Sequence, residues 1–173
     1  MSARFVSVDG RFWRMLRIRW QGEPLSGAGA ALHGGRWNRT GVAALYLATS
    51  YASAITEFHR QLVQPGTLVG YDVVSDRIVD LADAEAREAW RVGADVPFCE
   101  WRATIAIERR TPPTWPVAER LIEAGAHGAL VPSARVAGGV NLVLWRWAAE
   151  PGDGAVVSVV DPASDLRPRQ EPT

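Results

Sequence analysis

Short runs of apolar residues divide the first part of the chain into a strand, a loop and a second strand. In residues 11–20 large apolar residues alternate with arginines, a spacing that predicts a strand. The segment that follows, as far as Gly35, is rich in Gly, Ala and Ser and predicts a long loop. Val42 to Ala48 is then wholly apolar, and this run predicts a short buried strand.

A helix is predicted directly after this strand. Thr49 or Ser50 supplies a hydroxyl suited to cap the helix N-terminus, and apolar residues recur at helical spacing from Ala54 to Leu62. Glu57 lies about two turns into this helix, immediately before the apolar Phe58. Because neighbouring rows of side chains on a helix are adjacent, we expect the Glu57 carboxylate to border the buried face.

The second half of the chain begins with a strand-rich segment. Residues 67–81 predict a β-hairpin whose turn lies near Ser75 and Asp76, although no glycine marks that turn. Helices are predicted at 83–90 and at 116–128.

The helix at 116–128 carries both of its end signals. Pro116 suits a first helical turn, and Gly125 or Gly128 ends the helix. The remaining predicted strands are at 128–133 and 141–148, followed by a last, edge strand at 155–162.

These elements predict one domain of the α+β class, with a mixed β-sheet core and flanking helices. A chain of 173 residues fits a single domain, and no internal repeat or linker divides it. The predicted domain is residues 1–160. Residues 161–173 are rich in Pro and charge and predict a flexible tail.

Charge and cysteine content narrow the function classes. The chain has 19 basic and 19 acidic residues, so no overall field directs it to nucleic acid or to an anionic membrane. Cys99 is the only cysteine, and the three histidines lack metal-like spacing, so we expect no metal. Neither a signal-peptide core nor a membrane-spanning apolar run is present, which predicts a cytoplasmic protein.

The stretch from Gly34 to Asn38 is the first candidate site. Its two glycines allow the backbone to approach a ligand closely, and Arg36 offers a fork of donors suited to phosphate. A β-turn with a solvated arginine is the alternative. The pattern is neither a dinucleotide fingerprint nor a P-loop.

Four further residues have both a functional and a structural interpretation. Glu57 is either solvated or placed against a cation that forms during reaction, such as the centre left by a breaking N-glycosidic bond. Tyr46 is either a core residue or a ring that stacks on a planar ligand. Ser133 and Asn141 flank a glycine-rich turn, where such residues are common for structural reasons alone.

The order of these residues resembles a known family. The run SGAGAALHGGRWNRTGVAALYLATSYASAITEF closely resembles the RES domain, whose pattern has an arginine strand, GGRWN, a tyrosine-bearing strand and a helix with a glutamate. The later VPSARVAGGVNLVLW resembles the C-terminal motif of that family. The resemblance spans about Phe12 to Trp147, which is most of the chain.

The resemblance implies a toxin of a bacterial toxin–antitoxin pair with a fold similar to that of ADP-ribosyltransferases. Such toxins use NAD+ as a substrate, and no bound cofactor is implied. Some members degrade NAD+ by hydrolysis or phosphorolysis, and others ADP-ribosylate a protein. The implied partner is an Xre-like helix-turn-helix antitoxin that blocks the active site, and a homodimer within that complex is a further expectation.

The resemblance also assigns roles to residues. The N-terminal arginine of the family corresponds to Arg14, with Arg17 of the same strand as the alternative. Together with Arg36, this arginine is expected to bind the pyrophosphate of NAD+. Tyr46 is expected to face the nicotinamide, and Glu57 the ribose carbon that becomes positive.

The second motif supplies two more residues. Ser133 is expected to hydrogen-bond the ribose or the carboxamide, whereas Asn141 completes the motif without an assigned role. Three alternatives remain open: transfer of ADP-ribose to a protein, a module that binds a nucleotide or a partner without catalysis, and an inactive relative.

Overall fold

The structure, a computed structural model, describes residues 4–59 and 63–166. Within these residues the strands are β1 (Val6–Arg17), β2 (Leu45–Ala48), β3 (Gly66–Asp80), β4 (Gly128–Pro132), β5 (Val140–Leu144), β6 (Trp147–Ala148) and β7 (Ala155–Val160). The helices are α1 (Ala28–His33), α2 (Tyr51–Phe58), α3 (Ala84–Ala89), α4 (Trp101–Ala106) and α5 (Thr114–Glu123). Short 3-10 turns occupy Ile18–Trp20 and Val96–Phe98.

The strands form one mixed sheet in the order β1-β2-β5-β4-β3-β7-β6. The β3–β4 and β6–β7 pairs are parallel, and the other pairs are antiparallel. Because β1 pairs with both β2 and β3, the strands β1, β2, β5, β4 and β3 close into a ring of pairings. The predicted α+β class, with a mixed sheet core and flanking helices, is confirmed.

The sheet separates two apolar clusters. In β5, Val143 packs into one cluster, whereas Leu142 and Leu144 pack into the other, as the alternation of a strand requires. The first cluster also contains Val117 and Leu121 of α5. The buried residues of the second all lie on strands, so the curved sheet encloses part of its own core.

Helix α2 confirms its predicted start. The Ser50 hydroxyl accepts a hydrogen bond from the Ser53 N–H at 3.1 Å and so caps the helix. The helix runs to Phe58, and the part of the prediction that includes Leu62 lies outside the described residues. In α5, Pro116 lies in the first turn as expected, and Gly125 follows the helix with φ +86°, which favours glycine.

The predicted hairpin at 67–81 is wrong. The segment is one continuous strand, β3, which pairs antiparallel with β1 over most of its length. Ser75 lies at an irregularity of that pairing, and its hydroxyl accepts from the Arg77 N–H at 3.2 Å and contacts the His127 ring at 3.0 Å. These polar residues lie where β3 changes partner on the edge opposite β1, from β7, which pairs as far as Val74, to β4, which pairs from Ile78 onward.

Three other elements differ from the prediction. The long loop before Gly35 contains α1, and α4 was not predicted. The strand predicted at 141–148 divides into β5 and β6, because the N–H groups of Trp145 and Arg146 both turn to the His127 carbonyl. Strand β7 is an inner strand rather than the edge, since the two residues of β6 pair beyond it.

The C-terminal segment is described as far as Leu166. The Asp161 carboxylate accepts the N–H groups of Asp165 and Leu166 at 2.9 and 3.0 Å, and Leu166 packs against the second core cluster. The domain limit at residue 160 and the flexible tail stay predictions. Every helix among residues 4–59 and 63–166 is too short or too polar to span a bilayer.

Candidate active site

Glu57 is held by the second motif. It projects from the last turn of α2 toward the turn between β4 and β5. Its Oε1 accepts from the Ser133 hydroxyl at 2.8 Å and from the Asn141 side-chain amide at 3.2 Å. Two neutral donors from neighbouring strands therefore orient one oxygen of the carboxylate.

The other oxygen of Glu57 has a charged neighbour that the sequence did not predict. Arg135 Nε lies 3.4 Å from Glu57 Oε2. Arg135 follows Ser133 closely, and the Ser133 hydroxyl accepts the N–H groups of Arg135 and Val136 at 3.1 and 3.0 Å. One serine thus shapes the turn and orients the carboxylate at the same time.

Arg14 and Arg17 lie in different surroundings, although both belong to β1. Arg14 shares the inward face with Phe12 and Leu16, and its Nη1 donates to the Ser26 carbonyl at 3.4 Å. Burial lowers the pKa of Arg14 from its ordinary value, and the Tyr71 hydroxyl nearby opposes that shift. An arginine remains charged at neutral pH in either case. Arg17 is exposed at the end of the strand.

Tyr46 fastens the loop that carries the first motif. Its hydroxyl accepts from the Trp37 N–H at 3.0 Å and donates to Asn38 Oδ1 at 2.7 Å. Burial raises the pKa of Tyr46 above its ordinary value, an effect that the Trp37 N–H and the Arg36 charge oppose. The hydroxyl is thus bound within the protein, and Tyr46 also lines a cavity.

Arg36 reaches away from its own loop to a distant one. Its Nη1 donates to the carbonyls of Pro97, at 3.2 Å, and Cys99. These carbonyls immediately precede α4, which carries Trp101 and Arg102. The guanidinium therefore anchors the entry to α4 through one nitrogen.

Buried donors hold the backbone of the Gly35–Trp37 loop. The Trp115 indole N–H donates to the Gly35 carbonyl at 2.9 Å, and the Trp145 indole N–H donates to the Trp37 carbonyl at 2.9 Å. The Thr114 hydroxyl donates to the Arg36 carbonyl. Two of the eight tryptophans thus have a structural role in holding this loop.

Three adjoining cavities, of about 240, 570 and 310 Å³, each include Glu57 in their walls. Arg14 lines the first and second, and Tyr46 and Asn141 line the first and third. Arg102 lines the second and third. The predicted site residues therefore line neighbouring cavities, except Ser133, which reaches them through its hydrogen bond to Glu57.

The sequence of the chain matches the model of one protein family. The sequence pattern of the RES domain family fits residues 11–167, which cover nearly the whole chain and every residue of the site. The chain belongs to the RES domain family.

Two known proteins are similar to this RES domain. One is named "Prs ADP-ribosylating toxin", from Sphingobium sp. (strain YBL2), and is 40% identical over 78 residues. That match covers 43% of this chain and 48% of the relative, so it spans under half of the relative's length. The other is a chain of the M. tuberculosis MbcT–MbcA toxin–antitoxin complex, with a TM-score of 0.61 and 24% identity over 81% of this chain and 75% of that one. This second likeness shows a shared fold.

The cavities of this RES domain are rich in arginine. Arg17 and Arg19 stand with Arg14 along the largest cavity, whereas Arg36 and Arg135 line the third. A concave surface with several guanidinium groups favours an anionic ligand. The formal net charge of zero therefore conceals a local positive site.

Sequence reasoning missed Arg102 and Arg135 as residues of the RES site. Arg102 belongs to α4, whose apolar pattern was too short to predict a helix. Arg135 carried a signal, because it lies in the turn beside the predicted Ser133. Within the described part of the chain, no group of three or more His, Cys, Asp and Glu side chains is placed to hold a metal ion.

Proposed function

We propose that this RES domain is a toxin that cleaves the bond between nicotinamide and ribose in NAD+. The observation that supports the proposal most directly is the position of Glu57. Its carboxylate borders all three cavities, and two neutral donors orient it among arginines. A carboxylate in a space rich in arginine suits a substrate that carries both a phosphate anion and a cationic ring.

Cleavage needs stabilisation of positive charge at one carbon. As the bond from the nicotinamide nitrogen to C1′ breaks, its electron pair stays with nicotinamide, which leaves as a neutral molecule. Positive charge then develops at C1′ and the ring oxygen of the ribose, and the Glu57 carboxylate stabilises it. A metal or a covalent nucleophile has no necessary part in this step.

The other residues bind and orient the dinucleotide in this proposal. Arg14 and Arg36 bind the pyrophosphate, and the ring of Tyr46 lies against the nicotinamide. Ser133 and Asn141 orient Glu57 through the hydrogen bonds to its Oε1. Water or phosphate then attacks C1′, which gives ADP-ribose or ADP-ribose 1″-phosphate.

The biological setting we propose is a toxin–antitoxin pair. Loss of NAD+ would arrest growth, and a cognate Xre-like antitoxin would prevent it by covering the cavities. Membership in the RES family and the fold shared with a chain of a toxin–antitoxin complex support this setting. The homodimer within such a complex stays a prediction.

The second candidate is transfer of ADP-ribose to a protein side chain. The observation that favours it is the 40% identity to a relative named as an ADP-ribosylating toxin. The same bond breaks at the same carbon, and only the nucleophile differs. The two candidates therefore share Glu57 and are separated by their products.

The experiment compares the wild-type chain with Glu57→Gln in cells and in vitro. Gln keeps the shape of the side chain and removes the charge that stabilises the developing cation. We expect induction of the wild type to deplete cellular NAD+ and arrest growth, and Glu57→Gln to reduce nicotinamide release by about a hundredfold. Glu123→Gln, an exposed glutamate outside the three cavities, is the matched control.

The products identify the nucleophile. Purified protein with NAD+, with and without phosphate, separates ADP-ribose from ADP-ribose 1″-phosphate, and labelled NAD+ in a lysate reveals any modified protein. Full NAD+ consumption by Glu57→Gln would refute the role of the carboxylate. Growth arrest with an unchanged NAD+ pool and a labelled protein band would replace the first candidate with the second.

A further inference from the structure

The two oxygens of Glu57 differ in what they contact. Oε1 receives neutral donors from Ser133 and Asn141, which belong to the paired strands or their turn. Oε2 faces the guanidinium of Arg135 at 3.4 Å. Strands are rigid supports, whereas an arginine side chain has several rotatable bonds. Arg135 is therefore an exchangeable neighbour of the carboxylate.

Arg135 competes with the chemistry proposed for Glu57. A carboxylate stabilises a developing cation only to the extent that its charge faces that cation. A guanidinium against Oε2 neutralises part of that charge and fills space beside it. The substrate has to displace Arg135 from Glu57 before the carboxylate faces C1′.

If Arg135 leaves Glu57, the other charged residues that line its cavity repel it. An anion that enters the cavity would attract it instead. The wall of that cavity also carries Arg36 and Arg102, so the guanidinium would move among like charges. A pyrophosphate in the same cavity offsets this repulsion between arginines, since its oxygens accept forked hydrogen bonds from arginine. Departure of Arg135 from Glu57 and arrival of an anion are thus coupled by charge.

The Arg135 side chain has room to move. It keeps 40% of its surface exposed. Its N–H stays fixed on the Ser133 hydroxyl. The side chain can therefore rotate away while the turn and Ser133 remain in place.

We propose that Arg135 is a substrate-binding residue that pairs with Glu57 in the free protein and transfers to the pyrophosphate when the dinucleotide binds. The inference rests on the proposed function of the site. The nicotinamide cation replaces the guanidinium at Glu57, while the pyrophosphate takes up the guanidinium. A substrate that lacks phosphate can replace the guanidinium at Glu57 but offers it no anion to bind. Arg135 therefore sets the selectivity for phosphorylated substrates.

The first test measures binding of ADP-ribose, which carries the pyrophosphate but lacks nicotinamide. We expect Arg135→Ala to weaken ADP-ribose binding about tenfold, and Arg135→Lys to retain part of the affinity because it keeps the charge. Arg110→Ala is the control, because Arg110 is exposed and pairs with Glu108 outside the cavities. Circular dichroism verifies that each variant is folded.

The second test compares turnover of NAD+ with that of nicotinamide riboside, which has the cation and no phosphate. In Arg135→Ala we expect kcat/KM to fall for NAD+ and to rise for nicotinamide riboside, so that the ratio of the two falls at least tenfold. A residue that only supports the turn would lower both values together. That common loss would overturn the inference.

The two tests separate this inference from the proposed function. ADP-ribose binding does not depend on catalysis, so it reports on Arg135 even if the wild type releases no nicotinamide. Equal ADP-ribose affinity in the wild type and Arg135→Ala, or no binding by either, overturns the role of Arg135. Weakened binding with no NAD+ turnover retains Arg135 as an anion ligand and rejects the reaction.

Discussion

Asn38 and Asn141 belong to the two motifs that build the site, and their side-chain amides are used in opposite ways. Asn38 is 2% exposed, and its Nδ2 contacts the carbonyls of Ala30 and Val42 at 2.8 Å and of Arg39 at 3.2 Å. Its Oδ1 accepts from Tyr46. The Asn38 amide is therefore bound to the backbone around the first motif and to Tyr46.

Asn141 is satisfied on one side only. Its Nδ2 donates to Glu57, whereas its buried Oδ1 accepts no hydrogen bond from the described residues. A buried acceptor without a donor costs stability, and such groups are tolerated where they serve another purpose. The first motif thus gives the cavity its shape, and the second directs the charge of the carboxylate. Substitutions in the two should affect different measurements.

The largest expected effect is on stability, at Asn38. Asn38→Ala leaves three backbone carbonyls without this donor and the Tyr46 hydroxyl without its acceptor. We expect the free energy of unfolding to fall by about 4 kcal/mol, measured by urea denaturation. At temperatures where the variant remains folded, its rate of nicotinamide release should stay within a few-fold of the wild type.

This prediction is open to contradiction from either direction. Unchanged stability would mean that the hydrogen bonds of Asn38 add little to the loop. A loss of activity in a fully folded variant, by about a hundredfold, would mean that Asn38 itself acts in the reaction, and the contrast between the two asparagines would then disappear.

The next effect is on rate, at Asn141. Asn141→Ala removes one of the two neutral donors to Glu57 Oε1 and also removes the unpaired Oδ1. Because these two changes oppose each other in stability, the free energy of unfolding should change by less than about 1 kcal/mol. We expect nicotinamide release to slow about tenfold, since the carboxylate is less well oriented.

The measurements on Asn141→Ala show whether Asn141 orients the Glu57 carboxylate or only supports the packing around it. Steady-state kinetics should show the loss in kcat with little change in KM, because the contact is to Glu57. A large loss of stability with an unchanged kcat would assign Asn141 to the scaffold, in the same class as Asn38.

Sequence alone predicts the ends of helices where a single residue determines the local backbone. A hydroxyl at Thr49 or Ser50 predicts the start of α2, which Ser50 caps, and a glycine at 125 or 128 predicts the end of α5, which Gly125 follows with φ +86°. The error at Ser75 has a different cause. Polar residues between apolar runs predict a turn, but here the strand continues, because β1 and β4 supply partners that are distant in sequence. Sequence spacing carries no information about those partners.

In the site, too, the sequence predicts local features and not the contacts between remote segments. The residues that surround Glu57 follow from the two motifs, since their order and spacing in the chain resemble those of the RES family. What each hydroxyl or guanidinium binds depends on distances between remote segments, such as Arg36 to Pro97 and Ser133 to Glu57. The sequence therefore predicts which residues lie near Glu57, whereas only the structure shows the protein groups that Arg36 and Ser133 contact.

The smallest effect should be the pH dependence of the first motif, at Tyr46. Burial raises the pKa of Tyr46, so the folded state keeps a proton that the unfolded chain releases above about pH 10. The stability that Tyr46 contributes is therefore present below pH 10 and declines as pH rises, by about 1 kcal/mol per pH unit.

Tyr46→Phe removes this titration, so unfolding free energies measured between pH 8 and 11 should decline less steeply than in the wild type. Tyr71, whose pKa burial raises to about 12, still titrates in both proteins and leaves a residual slope. Tyr51→Phe changes an exposed hydroxyl outside the loop and is the control. Equal slopes for Tyr46→Phe and the wild type would mean that the Tyr46 hydroxyl is accessible to solvent, which would move this tyrosine from the scaffold to the open wall of the cavity.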